Sequence, residues 1–245
     1  MKMTTSIIFT ICLAVIAGLW FVKTIGQTKA ELAISVDHKH DAEKFVKRLD
    51  ELGYFKYANN TDLDRLKRTF IKEFDPASEL TSIWDDETHL PKDFRYYFCD
   101  GEEVYEQGGI SRLLIDLKPV FDKMNFKCVI TNHFEEWDEH HQWLNHKITI
   151  NGTAYIIFNN FKDKGWGEAP FRIAQILNIE LQKQNIDEQI YFVNGGNDGR
   201  LVLLSKAQHE LIYSTYQDKN WKPLDIYEWA ITNQLDLSKF EYWKK

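Results

Sequence analysis

The chain has 245 residues and a formal net charge of −7 at pH 7, with 37 acidic side chains against 30 basic ones. This acidic balance argues against binding to nucleic acid or to an anionic membrane surface, and it suits a basic protein partner. Apolar residues make up 44% of the chain, which excludes a largely disordered protein and indicates a globular one. The length is enough for one large domain or two small ones.

The first predicted element is the uncharged segment Ser6–Val22, which lies between Lys2 and Lys23. Its 17 residues fall between a spanning helix, which needs roughly 17–25, and the core of a signal peptide, which needs roughly 7–15. Trp20 suits an interfacial anchor at the end of a span. The segment therefore predicts a single-pass membrane anchor with the globular domain on the non-cytoplasmic side. A cleaved signal that leaves a secreted or periplasmic protein is the alternative, and a buried helix is a third interpretation.

The chain is predicted to have three parts. Residues 1–30 form the anchor or signal segment, residues 31–92 a helical region, and residues 93–245 an α+β domain with an aromatic-rich C-terminal extension. The helical region contains an amphipathic helix at Asp41–Leu52, in which apolar residues recur with the helical period. A second helix follows and ends before Pro76, because proline cannot continue it.

From residue 95 onward the pattern predicts the order β-α-β-β-β-α-β-β-α. Strands are predicted at Arg95–Cys99 and Phe126–Thr131, and the helix between them contains Pro119, which should kink or restart it. Asn151-Gly152 is the strongest local hairpin signal. Asn178, at the margin of a later apolar helical face, is expected to bond to a neighbouring backbone. Hairpins outnumber crossovers, so the predicted fold is α+β, with an antiparallel or mixed sheet and helices packed on one face.

The densest polar cluster is the segment His133–His146, with the sequence HFEEWDEHHQWLNH. Imidazole and carboxylate groups are ligands that Zn²⁺ uses, so the segment is a candidate metal site. It lacks the His-Glu-x-x-His spacing and lies in a predicted loop, so a solvated acidic loop and a protein-recognition surface are the alternatives. Zn²⁺ is the one cofactor considered, because no other cofactor motif is present. The candidate ligands are His133, Glu135, His140 and His141.

Other side chains are candidates for binding a partner. Tryptophans among charges can anchor a protein interface with a polar rim. One further tryptophan lies between glycines in the loop 159–167, and one aspartate lies in the glycine-rich turn Asn194–Gly199, which a hairpin also explains. These candidates are Trp137, Trp143, Asp138, Glu139, Trp166 and Asp198.

Two cysteines lie outside the apolar segment, Cys99 and Cys128. Each is at or near a predicted strand, so in an exported domain the two could form a single disulfide. Two buried free thiols are the other interpretation. No adjacent sequence signal marks either one as a nucleophile.

The anchor, the acidic balance, the aromatic-bearing charged segment and the lack of catalytic spacing favour a non-catalytic, membrane-tethered domain that binds another protein. An immunity-type inhibitor of a toxin is one version of this hypothesis. The alternative is an exported, metal-assisted hydrolase that uses the histidine-rich segment. A structural envelope protein without a discrete site is a third possibility.

Overall fold

The computed structural model describes residues 38–195 and 199–238. The predicted anchor, Ser6–Val22, lies outside these ranges. Within them, no helix has both the length and the hydropathy needed to cross a membrane. The chain divides into compact units of residues 1–47 and 48–245, and the candidate site lies in the second. The predicted domain boundaries at residues 30 and 92 remain predictions.

The described chain contains seven α-helices and six strands. The helices are α1 (38–51), α2 (Leu63–Lys72), α3 (Gly101–Tyr105), α4 (Gly109–Met124), α5 (Glu168–Lys183), α6 (Lys206–Thr215) and α7 (Ile226–Thr232), with a short 3₁₀ helix at Tyr54–Tyr57. The strands are β1 (Tyr96–Phe98), β2 (Ile130–Asp138), β3 (Trp143–Ile150), β4 (Thr153–Phe161), β5 (Glu188–Val193) and β6 (Arg200–Ser205).

The strands of the described residues form two three-stranded sheets, in the orders β1-β6-β5 and β2-β3-β4. Every pairing in them is antiparallel. The predicted α+β class is therefore confirmed, but the strands divide between two sheets where one was expected. The reason is a long-range pairing: β1 lies beside β6, with Tyr96 opposite Val202, and not beside β2, the next strand in the chain.

One apolar core joins both sheets to α4 and α5. The apolar face of α4, which includes Leu113, Leu117 and Phe121, is buried there. Pro119 does not restart the helix, which is continuous from Gly109 to Met124. Pro119 has no N–H, so the carbonyl of Ile115, four residues earlier, lacks its helical hydrogen bond. Ile115 is 68% exposed, and water can donate to this carbonyl instead.

The predicted hairpin at Asn151-Gly152 is confirmed as the β3–β4 turn. Both residues have positive φ, 51° and 79°, which a type I′ turn requires. The Asn151 side chain also connects the turn to its surroundings, because its Nδ2 donates to Glu180 Oε2 at 2.7 Å and its Oδ1 accepts from the Val129 N–H at 3.0 Å. Asn151 therefore shapes the turn and also ties it to α5.

The prediction for Asn178 is also confirmed. Its Nδ2 donates to the carbonyl of Ile190 at 3.2 Å, and its Oδ1 accepts from the N–H of the same residue at 2.7 Å. Ile190 lies on β5, the strand at the edge of its sheet, and Leu224 forms a bridge with Phe192 on the same strand. The side chain of Asn178 thus satisfies backbone groups that an edge strand would otherwise expose.

Cys99 and Cys128 are free thiols. The first follows β1 and the second precedes β2, and these strands belong to different sheets. Burial raises the pKa of Cys99 to about 12 and that of Cys128 to about 11. Both thiols are therefore protonated at neutral pH and are poor nucleophiles.

Candidate functional site

The segment His133–His146 is a β-hairpin, whereas the sequence predicted a loop. Strand β2 runs to Asp138, the turn occupies residues 139–142, and β3 begins at Trp143. Side chains alternate along β2, so His133, Glu135 and Trp137 share one face of the sheet. The strand was not predicted because its residues are mostly polar. A polar strand is tolerated here because β2 lies at one edge of its sheet.

Three side chains of this hairpin form a compact group, His133, Glu135 and His146, called here the histidine–glutamate cluster. One donor atom from each lies within 4.8 Å of the others. Glu135 on β2 is directly opposite His146 on β3, and His133 is two residues away on the same face. The register of the hairpin therefore assembles the cluster.

The two imidazoles of the cluster are in direct contact. Their Nε2 atoms are 2.6 Å apart, and the rings stack with centroids 4.8 Å apart. The other ring nitrogen of His133, Nδ1, lies 3.0 Å from the Ser111 hydroxyl oxygen in the first turn of α4. Ser111 therefore fixes the orientation of the His133 ring and leaves Nε2 facing His146.

Glu135 is held by the beginning of α4. Its Oε2 accepts from the Gly108 N–H at 3.0 Å, and a helix N-terminus favours a negative charge at that point. Gly108 has a φ of 78°, and a Cβ on Gly109 would lie 2.0 Å from the Glu103 carbonyl oxygen. The Gly108-Gly109 pair is therefore needed to bring α3 and α4 together and to present this N–H.

His146 is buried, with only 3% of its surface exposed. Burial and the neighbouring His133 lower the pKa of His146 from 6.5 to about 4. The ring is therefore neutral at physiological pH. A neutral imidazole has a lone pair available, which is the form that binds a metal ion.

A cleft of about 500 Å³ opens beside the cluster. It is lined by Tyr105–Gln107 at the end of α3, Glu135 and Trp137 on β2, Leu144 on β3, and Lys162–Lys164 in the loop before α5. The hydroxyl of Tyr105 donates to the Asp163 carbonyl oxygen at 3.0 Å and connects two of these walls. Glu135 belongs to both the cleft and the cluster, so a molecule in the cleft can reach the cluster.

Two of the predicted metal ligands, His140 and His141, lie in the β2–β3 turn. His141 is bonded through Nδ1 to Asp138 Oδ2 at 2.9 Å, and its ring stacks on Trp143 at 4.3 Å. Hydrogen bonds from the His141 backbone and side chain lower the pKa of Asp138 to about 2. The structure thus brings together His133 and Glu135 of the predicted set and adds His146, while the other two histidines help to shape the turn.

The predicted binding residues are divided between the cleft and other places. Trp137 lines the cleft and is 47% exposed. Trp143 Nε1 donates to Asp138 at the end of the hairpin, and the carbonyl of Glu139 accepts from Gln142 within the turn. Trp166 is partly exposed beneath the Lys164 ammonium. Asp198 lies outside the described residues.

Several parts of the site were not predicted from the sequence. They are Ser111, Gly108, Tyr105, Lys162 and Lys164. His146 was identified only as a member of the segment His133–His146. One signal for His146 was present, because Leu144, His146 and Ile148 alternate with polar residues and therefore share the inner face of a strand. The other contacts come from α3, α4 and the loop before α5, and only the tertiary fold brings them to the hairpin.

Two imidazole nitrogens and one carboxylate are a ligand set that Zn²⁺ uses in catalytic sites, where the fourth position is left for water or substrate. With Zn–N distances of roughly 2.0–2.1 Å, tetrahedral geometry sets two nitrogens about 3.4 Å apart, so a side-chain shift of under about 1 Å would turn the imidazole contact into coordination. No protein-family model matches the sequence, and neither a curated protein nor a solved structure is detectably similar to it.

Proposed function

We propose that the protein is a metal-dependent hydrolase, with a divalent ion such as Zn²⁺ bound by the histidine–glutamate cluster. The observation that supports this proposal is that three ligand atoms lie within 4.8 Å of one another beside a cleft of about 500 Å³. The outer contacts also suit a metal site, because Ser111 orients His133 and the Gly108 N–H orients Glu135. The site is built on paired strands, which hold ligands more firmly than a loop does.

In this proposal each residue has a defined task. His133 Nε2, His146 Nε2 and one Glu135 oxygen would hold the ion, next to the cleft that Glu135 also lines. A bound Zn²⁺ lowers the pKa of its water to about 7 and polarises a carbonyl group. The cleft side chains, chiefly Trp137 and Leu144, hold the substrate and exclude water from one side of it. The burial of His146 keeps its imidazole neutral and ready to bind the ion.

The predicted anchor places this activity outside the cytoplasm. Ser6–Val22 would tether the domain to a membrane, and the lack of a charge in that segment supports the proposal. A reporter fused to the C-terminus of the full chain tests it. Protease should digest the reporter from outside spheroplasts, and a reporter that is digested only after lysis contradicts export.

Metal binding is tested with the full-length protein in a mild non-ionic detergent. A chromophoric chelator competing for Zn²⁺ should show one tightly bound ion per chain. His146→Leu, which fills the buried position with an apolar side chain that cannot bind a metal ion, should abolish binding. The double variant His140→Gln/His141→Gln is the matched control and should retain it, because these histidines lie in the turn. Binding that the double variant loses and His146→Leu keeps would reject the cluster as the site.

Activity is measured on the same preparations with chromogenic esters and amides. Turnover should disappear on chelation, return with Zn²⁺, and be absent from His146→Leu. Less than a tenth of an equivalent of bound Zn²⁺, together with no change in stability on chelation, would refute the metal-dependent hydrolase.

A second candidate is a non-catalytic domain that binds another protein, one with a basic surface, as an immunity-type inhibitor binds a toxin. Phe134 and Trp137 favour it, since they are 42% and 47% exposed on β2, the edge strand of its sheet. An exposed strand edge with apolar side chains is a common place for a partner strand to add. A stoichiometric partner captured by the wild type and lost in Phe134→Ser/Trp137→Ser would support this candidate. Capture that the variant retains would count against it.

A further inference from the structure

The cleft beside the cluster has two lysines in its wall. Lys162 and Lys164 both line it. The ammonium of Lys162 lies 5.3 Å from the ring centroid of Trp143, and that of Lys164 lies 5.1 Å from that of Trp166. A contact with an indole ring orients an ammonium group without neutralising its charge.

Three acidic residues also line the cleft, Glu106, Glu135 and Asp163. Glu135 accepts from the Gly108 N–H and belongs to the cluster. Glu106 lies 3.6 Å from Arg112, which also donates to the Gln107 carbonyl at 3.1 Å. The lysines thus supply two positive charges against three negative ones. A divalent ion at the cluster would bring the count to four positive charges against three, which favours an anion in the cleft.

The rest of the cleft is apolar and aromatic. Trp137 presents its exposed ring to the cleft, and Leu144 and Tyr105 complete this wall. A volume of about 500 Å³ lies within the roughly 300–1,000 Å³ of small-molecule sites. The cleft thus combines a wall for an apolar group with a cationic end for an anion.

We propose that the substrate is an N-acyl amino acid with a free carboxylate. Its apolar acyl group would pack on Trp137 and Leu144, its carboxylate would lie between Lys162 and Lys164, and its amide would face the cluster. The reaction consumes one water molecule: the water oxygen forms a bond to the carbonyl carbon, the C–N bond breaks, and the nitrogen takes both protons of the water to become an ammonium group. The products are a carboxylate and a free amino acid. The hydrolytic step rests on the proposed function, whereas anion binding by the lysines does not.

The test measures binding of N-benzoyl-phenylalanine and of its carboxamide, which lacks the charge, by calorimetry. Full-length protein in non-ionic detergent is used, once with Zn²⁺ and once with chelator. We expect the acid to bind at least 10-fold more tightly than the carboxamide. The double variant Lys162→Gln/Lys164→Gln should remove this preference. Lys118→Gln/Lys206→Gln changes the net charge equally at exposed positions and should keep it.

Equal affinity for acid and carboxamide in the wild type would overturn the proposal, as would a preference that survives in Lys162→Gln/Lys164→Gln. The outcomes separate the two proposals. A lysine-dependent preference in a protein that binds no Zn²⁺ supports the anion site and refutes the metal-dependent hydrolase. Zn²⁺-dependent turnover of neutral esters without any preference for the acid supports the hydrolase and refutes this substrate class.

Discussion

Replacement of Arg95 by methionine is expected to destabilise the protein by about 3–5 kcal/mol, because methionine cannot donate to the buried carbonyl groups that the guanidinium satisfies. Arg95 is completely buried. Its guanidinium donates to the carbonyls of Tyr54, Gly53 and Leu203. It also lies 3.8 Å from Glu188, a buried carboxylate. One side chain thus connects the 3₁₀ helix to β5 and β6.

The magnitude follows from what methionine leaves behind. Methionine fills a volume similar to that of the arginine side chain, so lost packing contributes little to the change in the free energy of unfolding. The carbonyls of Tyr54 and Leu203, both buried residues, lose charged donors, and each unsatisfied buried group costs roughly 1–3 kcal/mol. The Gly53 carbonyl keeps the Lys56 N–H as a donor. Glu188 keeps Lys56 and the Tyr57 hydroxyl as partners, so its charge is not stranded. The expected loss of about 3–5 kcal/mol therefore comes from the two unsatisfied carbonyls and not from an unpaired charge.

Urea unfolding at pH 7, followed by tryptophan fluorescence, gives the free energies of unfolding. Arg48→Met is the matched control, because the Arg48–Glu51 pair is 58% and 47% exposed, and an exposed pair contributes about 0–1 kcal/mol. A loss of less than about 1 kcal/mol for Arg95→Met would show that the buried network does not stabilise the fold and would refute this reasoning.

Three further predictions concern single positions. Because burial and His133 lower the pKa of His146 to about 4, the unfolded chain takes up the proton first as the pH falls. Stability should therefore fall by about 3 kcal/mol between about pH 6.5 and 4, a contribution that His146→Leu should remove in urea titrations at a series of pH values. Asn178→Ala should cost about 1–3 kcal/mol in urea unfolding, since it removes the partner of the Ile190 backbone, and an unchanged midpoint would contradict that role. Gly101→Ala should lower the thermal unfolding midpoint by the equivalent of about 1–3 kcal/mol, because the new Cβ would lie 2.0 Å from the Trp166 carbonyl oxygen.

Local chemistry made part of the fold predictable from the sequence. Asn151-Gly152 specifies its hairpin because both residues tolerate positive φ. The inner face of α4 follows from helical periodicity. The pairing of Tyr96 on β1 with Val202 on β6 has no such signal, since no local rule relates strands so far apart in the chain. The division into two sheets depends on that pairing and was therefore missed.

The candidate site was predictable in its chemistry but not in its geometry. The density of histidine and carboxylate side chains in His133–His146 indicated the segment that contains the histidine–glutamate cluster, and the polar character of β2 concealed that it is a strand. A loop gives no reason to prefer one histidine over another, so the choice of His140 and His141 had no geometric basis. Once β2 and β3 pair, Glu135 faces His146 and the set is determined by register.

The pairing register of β2 and β3 also favours the hypothesis of a metal site. The main objection to it was that a loop does not hold ligands in place and that the helical His-Glu-x-x-His spacing is missing. A helix and a strand can each place two ligands on one face, but at different spacings. In a strand, residues two apart share a face, as His133 and Glu135 do. The third ligand then comes from the opposite strand, and the N-terminus of α4 supplies the groups that orient two of the three. Ser111→Ala should therefore weaken metal binding about 10-fold or more without unfolding the hairpin, because it removes the hydroxyl that orients the His133 ring.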